Sequence, residues 1–254
     1  MISAQRKKII IDKIKAGLPI SVKELSRELG VSPMTIRRDL DALEKEGLLT
    51  RIHGGAIPIN GGIEDEPSFN DRTGNFPREK LAIAQKAAEL IQKGDSIFLG
   101  GGTTVTALAN LLIEREDITV VTNAVNIAMI LAPCEKINLI VTGGTVRTKS
   151  YSLVGALAER VLREIHVDKA FLGVDGISID YGLTTPNMTE AHTDSLIVEA
   201  AKNVIILADH SKIGRVTLAR FASISAIDIL ITDKGAPQDF LEELKKMDIQ
   251  VLVV

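Results

Sequence analysis

From residue 96 onward, apolar residues come in short β-branched runs, at 96–99, 119–122, 139–142, 170–174, 204–208, 229–232 and 251–254. Runs of that length, apolar on both faces, read as strands of a buried sheet. Between them, 105–115, 124–131, 154–165, 190–201 and 238–247 have helical length and period. A helix over 77–92 precedes the first strand and places Leu81, Ala84, Ala88 and Ile91 on one face. Such alternation predicts an α/β fold, a mostly parallel sheet covered by helices on both sides.

The N-terminal part has a different pattern. Over 32–44, Ile36, Leu40 and Leu43 form one apolar edge of a helix, with Met34, Arg38 and Lys45 opposite. Ser32 suits the N-cap and Pro33 the first helical position. Upstream, Ser21-Val22-Lys23-Glu24 is a capping box opening a short helix that buries Val22, Leu25 and Leu29. Only Gly30 and Val31 separate the two, which forces a sharp angle. That is the outline of a helix-turn-helix, whose second helix enters the DNA major groove. A plain surface helical hairpin fits the same local pattern. After a stop at Gly47, residues 48–57 read as two strands around a Gly54-Gly55 turn, a wing suited to the sugar-phosphate backbone.

Charge separates the two readings. Residues 1–57 carry 11 Lys/Arg against 7 Asp/Glu, a formal +4, whereas the remainder carries 19 against 26, a formal −7. Only the basic part gains by displacing counterions from DNA. Between the two parts, residues 58–75 hold Gly61-Gly62, the acidic run Glu64-Asp65-Glu66, Pro67 and Gly74, a linker composition. The expected organisation is therefore a DNA-binding domain at 1–57, a linker at 58–75 and a second domain at 76–254.

Composition removes other classes. With no Trp, two Tyr and six Phe, the chain is a poor candidate for a single-strand or RNA reader built on stacking platforms. No apolar run approaches the roughly 20 residues that cross a bilayer, and Met1 to Lys8 turns basic without a signal-like apolar run. A lone Cys134 excludes an internal disulfide and reads as a core thiol. The four His show no metal-ligand spacing. A cytoplasmic protein without metal, cofactor or membrane partner is expected.

In an open parallel sheet, ligands bind beyond the carboxyl ends of the strands. Here the first strand runs into Gly100-Gly101-Gly102-Thr103-Thr104 and then a helix, where free N–H groups attract an anion. Neither a dinucleotide fingerprint, whose third glycine falls at Val105, nor a Walker loop is present. Asn123, Gly143-Gly144, Asp175 and Asp209-His210-Ser211-Lys212 follow other strands. They suit a polyhydroxylated phosphate ester, with Lys212 neutralising the phosphate and Asp175 or Asp209 accepting from hydroxyls. His192 reads as a surface or packing residue, and His210 has no acidic partner nearby in sequence.

Thr35-Ile36-Arg37-Arg38-Asp39-Leu40, Arg51-Ile52-His53-Gly54-Gly55-Ala56, Gly102-Thr103-Thr104, Val121-Thr122-Asn123, Thr142-Gly143-Gly144 and Asp209-His210-Ser211-Lys212 occur in that order. On these segments the chain resembles, over nearly its whole length, the DeoR-type bacterial transcriptional regulators of sugar metabolism. The resemblance implies an N-terminal winged helix-turn-helix and a sensor domain similar in fold to ribose-5-phosphate isomerase. It also implies a sugar-phosphate effector, usually the inducer of a repressor. One departure is Gly100, where many members of the family carry Asp; a carboxylate contact there is not carried over.

Thr35, Arg37 and Arg38, with Ser32 and Met34 at the helix start and Arg51 and His53 on the wing, are therefore expected to meet double-stranded operator DNA. Gly101, Gly102, Thr103, Thr104, Asn123, Gly143, Gly144, Asp175, Asp209, Ser211 and Lys212 are expected to bind the effector. A homodimer or homotetramer on repeated half-sites is expected. The rival is a sugar-phosphate isomerase with a DNA-binding appendage, using Asp175, Asp209 and Lys212 for proton transfer. A purely architectural DNA protein leaves the ligand-like strand ends unexplained.

Overall fold

The computed structural model describes residues 3–15, 20–45, 48–52, 54–58 and 66–254, and the chain divides into two compact units, 1–65 and 66–254. Among the described residues no helix is long and apolar enough to cross a membrane.

The first unit contains α1 (Ser3–Lys15), β1 (Ile20–Ser21), α2 (Val22–Leu29), α3 (Pro33–Lys45), β2 (Leu49–Ile52) and β3 (Gly55–Pro58). Ser21 caps α2 by accepting from the Glu24 N–H at 3.4 Å, and Ser32 caps α3 by accepting from Thr35 N–H at 3.2 Å. Ile36, Leu40 and Leu43 are fully buried against Ile10, Val22, Leu25 and Leu49, so the apolar edge of α3 faces this unit's own core. Leu29, expected inside, is only partly buried at the rim of that core. The wing forms as antiparallel β2 and β3, and β1 adds a third strand to β3. Gly55 lies so close to Ile20 that a Cβ there would sit 1.8 Å from the Ile20 carbonyl oxygen, so the strands pair only with glycine at that position.

The opening helix α1 holds α3 in place. Asp39 of α3 is buried, and its carboxylate accepts from Arg6 Nε at 2.7 Å, Arg6 Nη2 at 3.3 Å and Ser3 Oγ at 3.0 Å. A two-toothed guanidinium grip of this kind fixes orientation as well as distance. Asp39 thus positions α3 rather than meeting DNA.

The second unit begins with α4 (Phe69–Thr73) and α5 (Pro77–Ala88). It continues through β4 (Ser96–Leu99), α6 (Thr103–Leu111), β5 (Ile118–Thr122), α7 (Val125–Leu131) and β6 (Ile137–Val141). A small hairpin, β7 (Thr145–Val146) and β8 (Leu153–Val154), leads to α8 (Ala156–Glu164) and β9 (Val167–Leu172). The rest is β10 (Gly176–Ser178), β11 (Gly182–Thr185), α9 (Met188–Ala200), β12 (Ala201–Leu207), β13 (Ala219–Ala222), β14 (Ile229–Thr232), α10 (Gln238–Lys246) and β15 (Gln250–Val253).

Seven of these strands form one sheet in the order β15-β14-β12-β9-β4-β5-β6. Every neighbouring pair in it is parallel, as the doubly apolar strands predict. Its alternating residues feed two cores. Phe98, Leu172, Ile206 and Leu230 belong to one, and Ile97, Leu99, Phe171 and Ile205 to the other. The α/β expectation therefore holds. Strand β4 pairs with the central strand β9, so the loop after it opens near the middle of the sheet's carboxyl edge.

Three elements depart from the sequence reading. A separate antiparallel sheet, β10-β11-β13, is also present; its strands are only three or four residues long, β10 and β11 are rich in Gly, Ser and Thr, and Arg220 interrupts β13, so none carries the apolar run that marked the others. Residues 66–75, assigned above to a linker, belong to the second unit. Ser68 and Asp71 form a capping box there, Phe69 is buried, and its ring meets Tyr151 at 5.0 Å between centroids. Cys134 is half-buried, not a full member of the core. Gly47 lies outside the described residues.

Candidate functional site

On the first unit, the residues expected at DNA sit on the side of α3 away from its core. Met34 is 58% exposed, Arg37, Arg38 and Ser32 are exposed, and Thr35 is partly so. The Thr35 hydroxyl lies 2.9 Å from that of Ser32, which orders the start of the helix. Arg51 lies on β2, and its side chain is not among those described; His53 lies outside the described residues.

In the second unit the predicted effector residues gather at the carboxyl edge of the main sheet. The β4–α6 turn is its centre. Gly102 takes φ +129°, ψ 156°, a conformation open to glycine, and a Cβ there would meet no atom within 4 Å. No side chain caps α6, so the N–H groups at its start remain available to an anion. Thr103 is partly exposed and Thr104 is buried. A Cβ on Gly101 would stand 2.3 Å from Ser152 Oγ, which places this turn directly against the loop before β8. The Gly100 backbone lies under Leu172, whose Cδ2 is 2.6 Å from where a Cβ would be. Side chains larger than glycine at residue 100 therefore require Leu172 to move.

The neighbouring strand end is pinned to this turn. Thr122 donates its hydroxyl to the Leu99 carbonyl at 2.7 Å, and Asn123 follows, fully buried. Asn123 Nδ2 donates to the Leu153 carbonyl at 3.4 Å, while its Oδ1 has no partner among the described residues. Gly143 and Gly144 close the next turn, and Gly144 packs on the backbone of Val154. That close approach gives Gly144 a packing role whether or not it also touches a ligand.

Charge concentrates beyond β9 and β12. Asp175 accepts from Arg72 Nη1 at 3.2 Å, faces Lys212 Nζ at 3.7 Å and takes a 3.5 Å hydrogen bond from the Thr185 hydroxyl. Burial pushes its carboxyl up, but the combined field of Lys212, Arg72 and Arg215 outweighs this and holds it below the usual carboxylate range. Burial draws the Lys212 ammonium down, against the pull of Asp175. Asp209 accepts from the Ser211 N–H at 3.0 Å and from the Ser211 hydroxyl. Lys80, on α5, is buried and donates to the Arg72 carbonyl at 2.5 Å. Burial pulls its ammonium down to about 8, opposed by Asp209 and assisted by Lys212 and Arg72.

A second charged group adjoins the first. Arg147 bridges Glu66, at 2.5 Å, and Glu190. Burial raises the Glu190 carboxyl despite Arg147, and burial together with Glu190 and Asp175 raises Asp194 well above the usual range. Glu190 and Asp194 lie one turn apart on α9.

Spacing brought forward most of this edge but missed several members. Arg72 was hidden in an apparent linker, although the Ser68-x-x-Asp71 spacing just before it was a visible capping-box sign of a helix start. Lys80 carried a sharper signal, because it occupies the buried stripe of α5 with Ile83, Ala84 and Ala87. His210, read above as lacking an acidic partner, has one: its Nδ1 lies 2.8 Å from Asp233 Oδ2. Asp233 is 23 residues away, beyond the reach of local spacing.

The two units thus define a winged helix-turn-helix head and a sheet-based body with an anion-suited edge. Residues 6–61 match the DeoR-like helix-turn-helix domain, and residues 75–234 match the DeoR C terminal sensor domain. The chain belongs to the DeoR family of transcriptional regulators. It is similar to the HTH-type transcriptional regulator GlpR of Haloferax volcanii, 37% identical over 99% of this chain and 98% of that one. The glycerol-3-phosphate regulon repressor of Escherichia coli strain K12 is 33% identical over 99% of both chains. Among solved structures, ribose 5-phosphate isomerase A from Methanocaldococcus jannaschii overlays 53% of each chain, with a TM-score of 0.40 and 22% identity. No chemistry is carried over from that partial overlay.

Proposed function

We propose that this regulator represses a carbohydrate-catabolic operon and leaves its operator when a phosphorylated sugar fills the carboxyl edge of the sheet. The observation that carries the reading is a charge surplus. Arg72, Lys80, Lys212 and Arg215 act on one another around the two carboxylates Asp175 and Asp209. Four cations against two anions leave a surplus of two within this group, beside the Arg147–Glu66–Glu190 cluster, in a largely buried place where unpaired charge is costly. A phosphate monoester carries about −1.5 to −2 at neutral pH and offsets it. The uncapped start of α6, with Gly102, Thr103 and Thr104, supplies further N–H donors. The unpartnered Asn123 Oδ1 offers an acceptor to a sugar hydroxyl.

The same geometry speaks against catalysis. Asp209 is committed to Ser211, and Asp175 to Arg72 and Lys212, so neither carboxylate stands free as a base. Binding, not turnover, is the proposed role. The relatives' names, one of them a glycerol-3-phosphate regulon repressor, agree with that assignment. We further assign the protein to the cytoplasm, where operator and metabolite meet, and to a homodimer or homotetramer, since one small head covers little DNA. Light scattering that found a monomer both free and on DNA would contradict the assembly.

A thermal-shift panel of pentose and hexose phosphates on the full chain tests the reading, because a ligand bound only to the folded state raises its melting point. Affinity for the best ester is expected to be bell-shaped in pH. It rises through about pH 6 as the second phosphate proton leaves. It falls above about 8, where Lys80 loses the charge it carries at lower pH. Because a bound anion favours protonated Lys80, complex formation takes up protons on the alkaline limb. A panel with no shift at all counts against the reading, and a flat profile from pH 7 to 10 removes Lys80 from it.

A further inference from the structure

Arg72 and Glu66 bring charge to this edge from the first residues of the second unit, Glu66 on Arg147 and Arg72 on Asp175. Arg72 lies on α4, a five-residue helix separated from residues 58–65 only by Glu66, Pro67 and Ser68. Its guanidinium is mostly buried, and two of its three nitrogens are placed. Nη1 donates to Asp175 Oδ1 at 3.2 Å and Nη2 to the Lys149 carbonyl at 3.1 Å. Nε is buried and has no acceptor among the described residues. A buried guanidinium N–H without a partner carries an unoffset desolvation cost, which an incoming oxyanion removes.

The main chain of Arg72 is tied to the same place. Its carbonyl accepts from Lys80 Nζ at 2.5 Å, so side chain and backbone of one residue both engage the pocket's charged groups. Lys212 competes for the carboxylate oxygen that Arg72 holds, facing Asp175 Oδ1 at 3.7 Å. An oxyanion received by Arg72 and Lys212 leaves Asp175 to accept from a sugar hydroxyl. Besides Arg72, the stretch is held by the Ser68–Asp71 capping box, Phe69 against Tyr151, the Thr73 hydroxyl on the Phe69 carbonyl at 2.9 Å, the packing of α4 on α6 and the buried Glu66–Arg147 pair. Of the described contacts of α4, the Arg72 guanidinium is the one that reaches Asp175 Oδ1, the oxygen Lys212 also faces, so it is the contact an oxyanion there would change.

We propose that Arg72 is an effector-binding residue, and that its grip on the effector's oxyanion makes α4 the element through which pocket occupancy reaches the segment leading to the DNA-binding unit. This rests on the phosphate-ester reading above and adds to it a residue and a route. A ligand alters DNA affinity only through an element whose state differs between the free and bound forms. Residues 66–75 are that element.

The test uses the full chain with inorganic phosphate as probe. Phosphate affinity is measured by calorimetry, and amide exchange is followed at 66–75 and at 102–106, with and without saturating phosphate. In the wild-type protein, phosphate slows exchange in both stretches. In Arg72→Gln, affinity falls about tenfold or more. At saturation, exchange in that variant is slowed at 102–106 but stays at its ligand-free rate at 66–75. Arg72→Lys keeps the charge without the fork and serves where the glutamine variant folds poorly; it too leaves 66–75 unprotected. A merely structural Arg72 would lose protection in 66–75 before phosphate is added and regain it at saturation, which overturns the proposal. So does a variant that binds phosphate and protects 66–75 like the wild type. Failure of the wild-type protein to bind phosphate overturns the phosphate reading itself, a result distinct from either.

Discussion

Lys212→Glu is expected to lower affinity for a phosphate ester on the order of 100-fold, since reversing a buried cation removes one charge-assisted contact and adds a repulsion. Lys212 stands 3.7 Å from Asp175 and within the field of Arg72, Arg215 and Asp209. The substitution turns a local surplus of two positive charges into none, so the dianion no longer offsets anything. It also sets a new carboxylate beside Asp175, and the melting point of the second unit should fall. Lys212→Met is the gentler control: Asp175 keeps Arg72 and Arg215, and ester affinity drops by less. Titration calorimetry reads both variants, with operator affinity in the absence of ester as the check on the other unit. Unchanged ester affinity in a folded Lys212→Glu protein removes Lys212 from the site.

Arg38→Ala has the next largest expected effect, on the other unit. Arg38 is exposed on α3, on the side away from Ile36, Leu40 and Leu43, and α3 is held by the Arg6–Asp39 pair. A two-toothed arginine contact with a base edge is worth about 1–3 kcal/mol, and this is the contact proposed for Arg38. Operator affinity should therefore fall roughly 5- to 150-fold at fixed salt, with relaxed preference at the base pair it reads. Arg37→Ala, if that residue meets phosphate only, weakens all sequences alike and flattens the salt dependence. Equal operator affinity in a folded Arg38→Ala protein excludes the base contact.

Legibility followed physical range. The seven sheet strands were readable because each buries both faces, so a run of apolar residues is itself the signal. Helix α3 was readable for the opposite reason: one buried edge, one exposed edge and a marked start at Ser32 and Pro33. Both signals are local. The small sheet of β10, β11 and β13 escaped because its register rests on partners up to 39 residues apart, such as Leu183 with Ala222, and its three- and four-residue strands are too short to carry an apolar run. The charged edge divided in the same way. Gly102, Thr103, Asn123, Asp175 and Lys212 lie within a few residues of strand ends, and that position alone singled them out as candidates. Arg72 and Lys80 reach the same edge from α4 and α5, before any strand of the sheet, so no rule about strand ends could place them. Asp233 beside His210, and Glu66 and Glu190 around Arg147, are likewise long-range pairings.

The most direct measurement is a titration of the full-length protein onto duplex DNA from its own upstream region, at one fixed low salt concentration, with and without the phosphate ester that most raises its melting point. The account predicts tight binding without ester and binding at least tenfold weaker with it, a difference of about 1.4 kcal/mol or more. DNA affinity that is the same in the two titrations, or absent from both, contradicts it.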